Sequence, residues 1–198
     1  KPVEIPSAPK NAGSENVSNE YYAVTQRTRY PALKRIADLN PDIYAIIFCR
    51  TRRETQEVAD NLIKDGYSAD SLHGDLSQAQ RDSVMGKFRK KSIQILVATD
   101  VAARGLDVTE LTHVINHKLP DQIENYTHRS GRTGRAGNKG ISIVLVNGKE
   151  KGKLRPIEKI IQKKFIEGKV PSGKEICQNQ LMNLIDKVQN IEVNETQI

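Results

Sequence analysis

The sequence predicts an α/β fold in which a parallel β-sheet is flanked by helices on both faces, with a helical extension at the C-terminus. Three observations carry that prediction. Short apolar runs alternate with amphipathic stretches along most of the 198 residues, and strands connected through helices run parallel in their sheet. The runs AIIFC (45–49), IQILVAT (93–99) and GISIVLV (140–146) are apolar nearly throughout, the pattern of strands covered on both faces. Three helical stretches open on a capping pair: Thr51 with Glu54, Ser77 with Gln80, and Asp121 with Glu124.

In chain order, residues 1–18 are rich in Pro, Ser, Asn and Gly and read as an extended linker. YYAVTQ (21–26) reads as a strand and YPALKRIADL (30–39) as a short helix. DIYAIIFC (42–49) is a buried strand, followed by the helix RRETQEVADNLIKD (52–65). YSADSLH (67–73) is a strand and SQAQRDSVMGKFRK (77–90) a helix. IQILVAT (93–99) and THVINHK (112–118) are strands, DQIENYTHRSG (121–131) is helical, and GISIVLV (140–146) is a strand. Two helical stretches close the chain. Ile157, Ile160, Ile161 and Phe165 form one apolar stripe. Leu181, Leu184, Ile185, Val188 and Ile191 form another beyond the break at Pro171. The second stripe reads as a terminal helix docked on the domain; the sharper alternative is a surface for self-association or the start of a further domain. These patterns divide the chain into a linker (1–18), one domain (19–167) and a helical extension (168–198).

Lys and Arg number 31 against 24 Asp and Glu, giving a net charge of +7. That balance suits a polyanion such as nucleic acid. With no Trp, three Phe and six Tyr, stacking on bases is a poor handle and phosphates are a better one. Cys49 and Cys177 are the only cysteines; Cys49 sits in an apolar strand and reads as a buried thiol, and two cysteines offer no zinc spacing. No metal site is expected. The N-terminal stretch carries no signal-peptide apolar region and no run reaches membrane-spanning length, so the expectation is a soluble, cytoplasmic protein without membrane contact. The chain begins with Lys1 and not Met, and is expected to be a segment of a longer protein.

The block HRSGRTGRAG (128–137) places Arg129, Arg132 and Arg135 three residues apart, interleaved with Gly131, Gly134 and Gly137. Guanidiniums this crowded repel one another and call for an anion. GKVPSGKE (168–175) imitates a phosphate-binding loop but ends in Glu175 where a Mg²⁺-binding hydroxyl belongs, contains Pro171, and comes after a helical stretch. The chain therefore has arginines suited to phosphates and no cradle for them. The other candidates lie at strand ends. In ATDVAARGLD (98–107) the Thr99 hydroxyl and the Gly105 backbone suit a phosphate oxygen, Arg104 adds charge, and Asp107 suits a ribose hydroxyl. In LHGDLSQAQRD (72–82) Gly74 permits close backbone approach and Arg81 projects one turn into the helix. FCRTRRE (48–54) repeats that design, with Thr51 at a helix start among Arg50, Arg52 and Arg53.

FCRT, HGDLSQAQRD, ATDVAARGLD and YTHRSGRTGRAG occur in an order and spacing that closely resemble motifs IV, IVa, V and VI of the second RecA-like domain of DEAD-box RNA helicases. The resemblance covers roughly residues 20–165. The tail resembles more loosely the segment after this domain in bacterial DeaD-type cold-shock helicases. Ser130, Arg50, Asp82 and His117 depart from the usual Ile or Val, Asn, Glu and Tyr. The resemblance implies a partner domain carrying the phosphate loop and the D-E-A-D run, with ATP and Mg²⁺ held mainly there. It implies that Arg135 is the arginine finger and Arg132 the ground-state phosphate clamp, and that Gly105, Asp107, His128 and Arg129 also serve the ATP site. It further implies an Asp100–Arg129 pair oriented with His128, and an RNA-backbone track over Thr51, Arg52, Gly74, Arg81, Thr99 and Arg104. The alternatives from other classes are a non-enzymatic RNA-binding or scaffold module and the corresponding domain of a DNA helicase.

Overall fold

The computed structural model describes residues 15–190 apart from residues 107, 109 and 136. Most of the expected linker, Asp107 and Ile191 therefore lie outside the described residues. Seven strands form one parallel sheet: β1 (Val17–Ala23), β2 (Ala45–Cys49), β3 (Ala69–Leu72), β4 (Ile95–Thr99), β5 (His113–Asn116), β6 (Gly140–Val146) and β7 (Ile166–Gly168). Their order across the sheet is β3-β4-β2-β5-β6-β1-β7. Among the described residues six α-helices connect or follow them: α1 (Arg29–Leu39), α2 (Arg52–Lys64), α3 (Gln78–Arg89), α4 (Ile123–Ser130), α5 (Leu154–Ile161) and α6 (Gly173–Gln189).

The central strands bury both faces, and alternation along each decides which helices it meets. Ala45, Ile47 and Cys49 of β2 join Ile95 and Val97 of β4 under Leu33 and Ile36 of α1 and Val58 and Leu62 of α2. Ile46 and Phe48 face the other way with Leu96 and Ala98, against Val84, Met85 and Phe88 of α3. Val144 and Val146 of β6 pack under Tyr126 of α4 and Leu154, Ile157 and Ile161 of α5. Each large side chain removed from water in this way contributes about 1.5–3 kcal/mol.

Several elements differ from the sequence reading. β1 starts at Val17, four residues before the expected strand and inside the expected linker, because Val17 to Ala23 pair in register with Gly140 to Val146. Its polar start hid it: Asn19 is buried and accepts the Tyr126 hydroxyl at 2.6 Å. β7 lies within a stretch that reads as helix, and it straddles the expected boundary at 167. α5 stops at Ile161 because Gln162 takes a left-handed conformation (φ 54°), so Phe165 reaches the core from an extended segment.

Capping also differs. Ser77 and Gln80 form the full reciprocal box, but Glu54 donates its backbone N–H to Thr51 while its carboxylate accepts from the Arg50 N–H at 3.3 Å, not from that of Thr51. Asp121 caps nothing: α4 starts after Gln122 without a side-chain cap, and the Asp121 carboxylate is bound to Arg50. Glu175, the residue that spoils the phosphate-loop pattern, completes a capping box with Ser172 at the start of α6.

α6 docks on α1 largely through polar groups. Gln180 donates to the Asp38 carbonyl at 3.0 Å, Asn179 to that of Leu39, and Lys187 reaches Asp42 at 2.7 Å. Ile176 is its only buried residue, while Leu181, Leu184, Ile185 and Val188 face outward. Docking and an uncovered apolar stripe thus coexist on one helix. Among the described residues no helix is long and apolar enough to cross a membrane.

Candidate nucleotide and nucleic-acid interface

In a parallel sheet every strand delivers its following loop to the same edge. The carboxyl ends of β2, β3 and β4 therefore bring three separate segments to one cavity of about 790 Å³ lined by Arg50, Thr51, Arg52, Gly74, Arg81, Thr99, Val101 and Ala102. Five of the six residues expected to form a backbone track meet here. Thr51 and Thr99 both accept a backbone N–H, from Glu54 at 3.1 Å and from Ala102 at 3.3 Å. Each hydroxyl keeps its proton for an outside acceptor. Arg81 is steadied by donating to the Ala102 carbonyl at 3.2 Å, and Arg52 by Asp75. Gly74 leaves ordinary room on its protein side, where a Cβ would meet Arg52 Cδ at 3.6 Å. Arg50 enters the same cavity, oriented by Asp121.

Arg104, the sixth, lines a neighbouring cavity of about 90 Å³ with Asp100, His128, Arg129 and Arg132. It stands between the two regions and not in the track cavity. Gly105 follows in a left-handed conformation (φ 72°), which an L side chain adopts only with strain.

Arg129 is 2% exposed and almost wholly engaged. Its Nε and Nη2 meet the two Asp100 carboxylate oxygens at 2.6 and 2.7 Å, and its Nη1 donates to Asn116 at 2.8 Å and to the Lys118 carbonyl at 3.1 Å. Its guanidinium also lies 4.9 Å from the Phe48 ring centre. These bonds point its donors inward, and it braces the two loops. His128 is exposed on the rim, and its ring makes no hydrogen bond among the described residues, so the orienting contact expected of it is absent there.

Arg132 and Arg135 behave differently. Arg132 donates to the Leu106 carbonyl at 2.6 Å, and burial together with repulsion from Arg135 lowers its pKa. Arg135 is exposed and anchors only its Nε, on the Gly131 carbonyl at 2.7 Å. Its terminal fork is turned to the open side. Gly134 between them has φ 68°, and a Cβ there would strike Val17 at 2.5 Å, so this loop is laid against the start of β1.

Sequence reasoning missed the support beneath these loops. Arg29, 1% exposed, donates to the carbonyls of His117 and Leu145 and pairs with Glu150 at 2.8 Å. Glu54 meets His117 Nδ1 at 2.7 Å and Lys118 Nζ at 3.1 Å. Burial alone would raise the Glu54 carboxyl, but the bonds from His117 and Lys118 outweigh it and lower its pKa to about 2. Cys49, Glu54 and His117 bring three ligand-type atoms within 4.8 Å of one another. The carboxylate is already committed to His117 and the Lys118 ammonium, and burial pushes the Cys49 thiol up, so the trio reads as a tie between β2, α2 and β5. Nothing in residue spacing announces these contacts, because each joins residues far apart in the chain.

The donor set facing the cleft is guanidinium, with Asp100 consumed by Arg129. It suits phosphate oxygens, and among the described residues no free carboxylate pair for Mg²⁺ lines the two cavities.

Comparison with known proteins matches this constellation. The model of the helicase conserved C-terminal domain fits residues 29–137. The chain is 40% identical over 195 residues to the DEAD-box ATP-dependent RNA helicase CshA of Bacillus cereus, covering 98% of this chain and 37% of that protein. The chain thus spans under two-fifths of the length of that relative. Among solved structures, a DEAD box protein from Methanococcus jannaschii superposes with a TM-score of 0.73 and 45% identity, over 78% of this chain and 42% of that one. Saccharomyces cerevisiae Dbp5 bound to RNA and ADP BeF3 superposes with a TM-score of 0.73 at 26% identity, over 89% of this chain and 46% of that one. By that family match and these likenesses, the chain belongs to the helicase conserved C-terminal domain family as a RecA-like domain of the DEAD-box kind.

Proposed function

We propose that this chain is the RNA-gripping and arginine-donating half of an ATP-dependent RNA helicase. The observation that carries the reading is the meeting of Thr51, Arg52, Gly74, Arg81 and Thr99 in one cavity, beside a separate loop that presents the Arg135 fork. Hydroxyl and guanidinium donors in that cavity suit the oxygens of a sugar-phosphate backbone, which carries no base identity. RNA is therefore held without sequence preference, and closure of a partner domain over the track bends it and separates short duplexes.

ATP, held with Mg²⁺ mainly by the partner domain, supplies a transferable γ-phosphoryl group. Arg132 binds its oxygens in the ground state, while Arg135 meets the charge that develops during transfer. Gly105 serves the phosphates and Asp107 the ribose, and Asp100 with Arg129 holds the loops in register. The outward stripe of α6, which a second copy can match with its own, is the surface for self-association.

The test is binding of unstructured RNA to this chain alone. Affinity should be weak, indifferent to base sequence and steeply lost with salt, and Thr99→Ala with Arg81→Ala should remove most of it. No ATP turnover should occur without a partner domain. Tight, sequence-selective binding that survives high salt would point instead to a scaffold module.

A further inference from the structure

The chain's positive charge is not spread evenly. Residues 149–164 hold seven Lys and Arg against Glu150 and Glu158, a net +5 of the chain's +7. Both carboxylates are spent internally. Glu150 pairs with buried Arg29, and Glu158 accepts the Phe165 backbone N–H at 2.9 Å. Two of the cations are also engaged: Lys151 lies near Glu167 and over the Tyr21 ring, and Lys163 donates to the carbonyls of Glu15 and Val17. Lys149, Arg155, Lys159 and Lys164 are exposed and make no ion pair among the described residues.

The fold concentrates these charges. Leu154, Ile157 and Ile161 bury one face of α5, which turns Arg155 and Lys159, four residues apart, together on the other. The left-handed turn at Gln162 then brings Lys163 and Lys164 back beside them. The result is a groove of about 520 Å³ lined by Arg155, Glu158, Lys159, Gln162, Lys163 and Lys164. Position supplies the second observation. Lys149 leaves the carboxyl end of β6, the same sheet edge at which Thr51 and Thr99 leave β2 and β4, with Lys118 between them at the end of β5. Lys149 thus starts at the track edge, and α5 runs from there back across the sheet flank toward the opposite edge, where Lys163 meets the carbonyls at the start of β1, so a strand leaving the track reaches the groove by following α5.

We infer that the α5 groove is a second RNA-backbone site, which holds single-stranded RNA extending beyond the track. The inference rests on the RNA-backbone reading of that track. Cations without local partners lose little on meeting phosphates and gain by releasing counterions. The absence of aromatic side chains from the groove lining limits recognition to the backbone.

The experiment measures binding of this chain to two uridine oligomers, one of about 6 nucleotides that fills the track alone and one of about 30 that can reach α5. Arg155→Gln, Lys159→Gln and Lys164→Gln are combined in one variant, whose exposed positions leave the core untouched. The expected result is a ~10-fold loss of affinity for the long oligomer, a salt slope shallower by about 2, and unchanged affinity for the short one. Equal affinity of variant and parent for the long oligomer overturns the inference, as does equal loss on both lengths. If the short oligomer fails to bind or ignores Thr99→Ala, the track reading fails instead, while dependence of the long oligomer on α5 still upholds the groove. Binding of acidic protein or anionic vesicles through α5, with RNA affinity unchanged, also overturns it.

Discussion

Asp100 and Arg129 face each other in a two-pronged ion pair that joins the loop after β4 to the last turn of α4. Arg129 is 2% exposed and the Asp100 side chain 31%. Removing the carboxylate therefore strands a buried guanidinium, whereas removing the guanidinium strands a partly hydrated carboxylate. Asp100→Ala should cost ~3 kcal/mol, at the low end for breaking a buried pair because water reaches the aspartate. Arg129→Lys should cost a similar amount, because an ammonium cannot span both oxygens, Asn116 and the Lys118 carbonyl. Urea denaturation of both variants checks this. A loss under about 1 kcal/mol would place the pair with ordinary surface ion pairs.

The exposed fork of Arg135 leads to a kinetic expectation. In a protein that joins this chain to its partner domain, Arg135→Ala should cut RNA-stimulated ATP turnover by about 10³–10⁵-fold. Arg135→Lys should recover little, because the planar fork is lost. RNA affinity of the isolated chain should hardly change in either variant, since Arg135 stands apart from the track cavity. Measuring both activities on the same variants decides the matter. Full turnover by Arg135→Lys with lowered RNA affinity would make this block a generic basic loop.

His113 gives the domain an acid sensitivity unrelated to the site. It is 6% exposed on β5, and burial lowers its pKa from 6.5 to about 4. Between those values the unfolded chain binds a proton that the folded chain refuses. Stability should therefore fall as pH drops from about 6.5 to about 4, by on the order of 3 kcal/mol in total. Glu54, lowered from 4.5 to about 2, works in the adjoining window: its contribution is complete above about 4.5 and is lost as pH falls toward 2. His113→Gln should flatten the upper window alone and Glu54→Gln the lower alone, as read from denaturation midpoints across pH. An unchanged profile in His113→Gln would remove burial as the cause.

The uncovered stripe on α6 predicts concentration-dependent association. Leu184 is 58% exposed and Val188 59%, and pairing such side chains with their copies buries apolar area worth about 25 cal/mol per Å². Sedimentation should show larger species as concentration rises, and Leu184→Asp should abolish them without altering thermal unfolding. A strictly monomeric parent at high concentration would rule the surface out.

Residue pattern alone determined the α/β class, most of the strands and helices, and where the glycine- and arginine-rich loops fall. These are local properties: apolar runs mark buried strands, capping residues mark helix starts, and the glycine and arginine blocks are contiguous. The polar start of β1, VSNE, and the short β7 escaped notice because their place in the sheet depends on a neighbour, not on their own hydrophobicity. Residue spacing alone did not separate free arginines from committed ones, although the family resemblance implied the Asp100–Arg129 pair. Arg129, Arg132 and Arg135 look equivalent in HRSGRTGRAG, yet Arg129 is consumed by Asp100 and Asn116 while Arg135 projects outward. Asp121 reads as a cap and serves Arg50; Arg29, which no motif singles out, is among the most deeply buried side chains. In each case the deciding partner lies many residues away. A buried charge stays only where distant groups converge to satisfy it, and that convergence is a property of the folded chain.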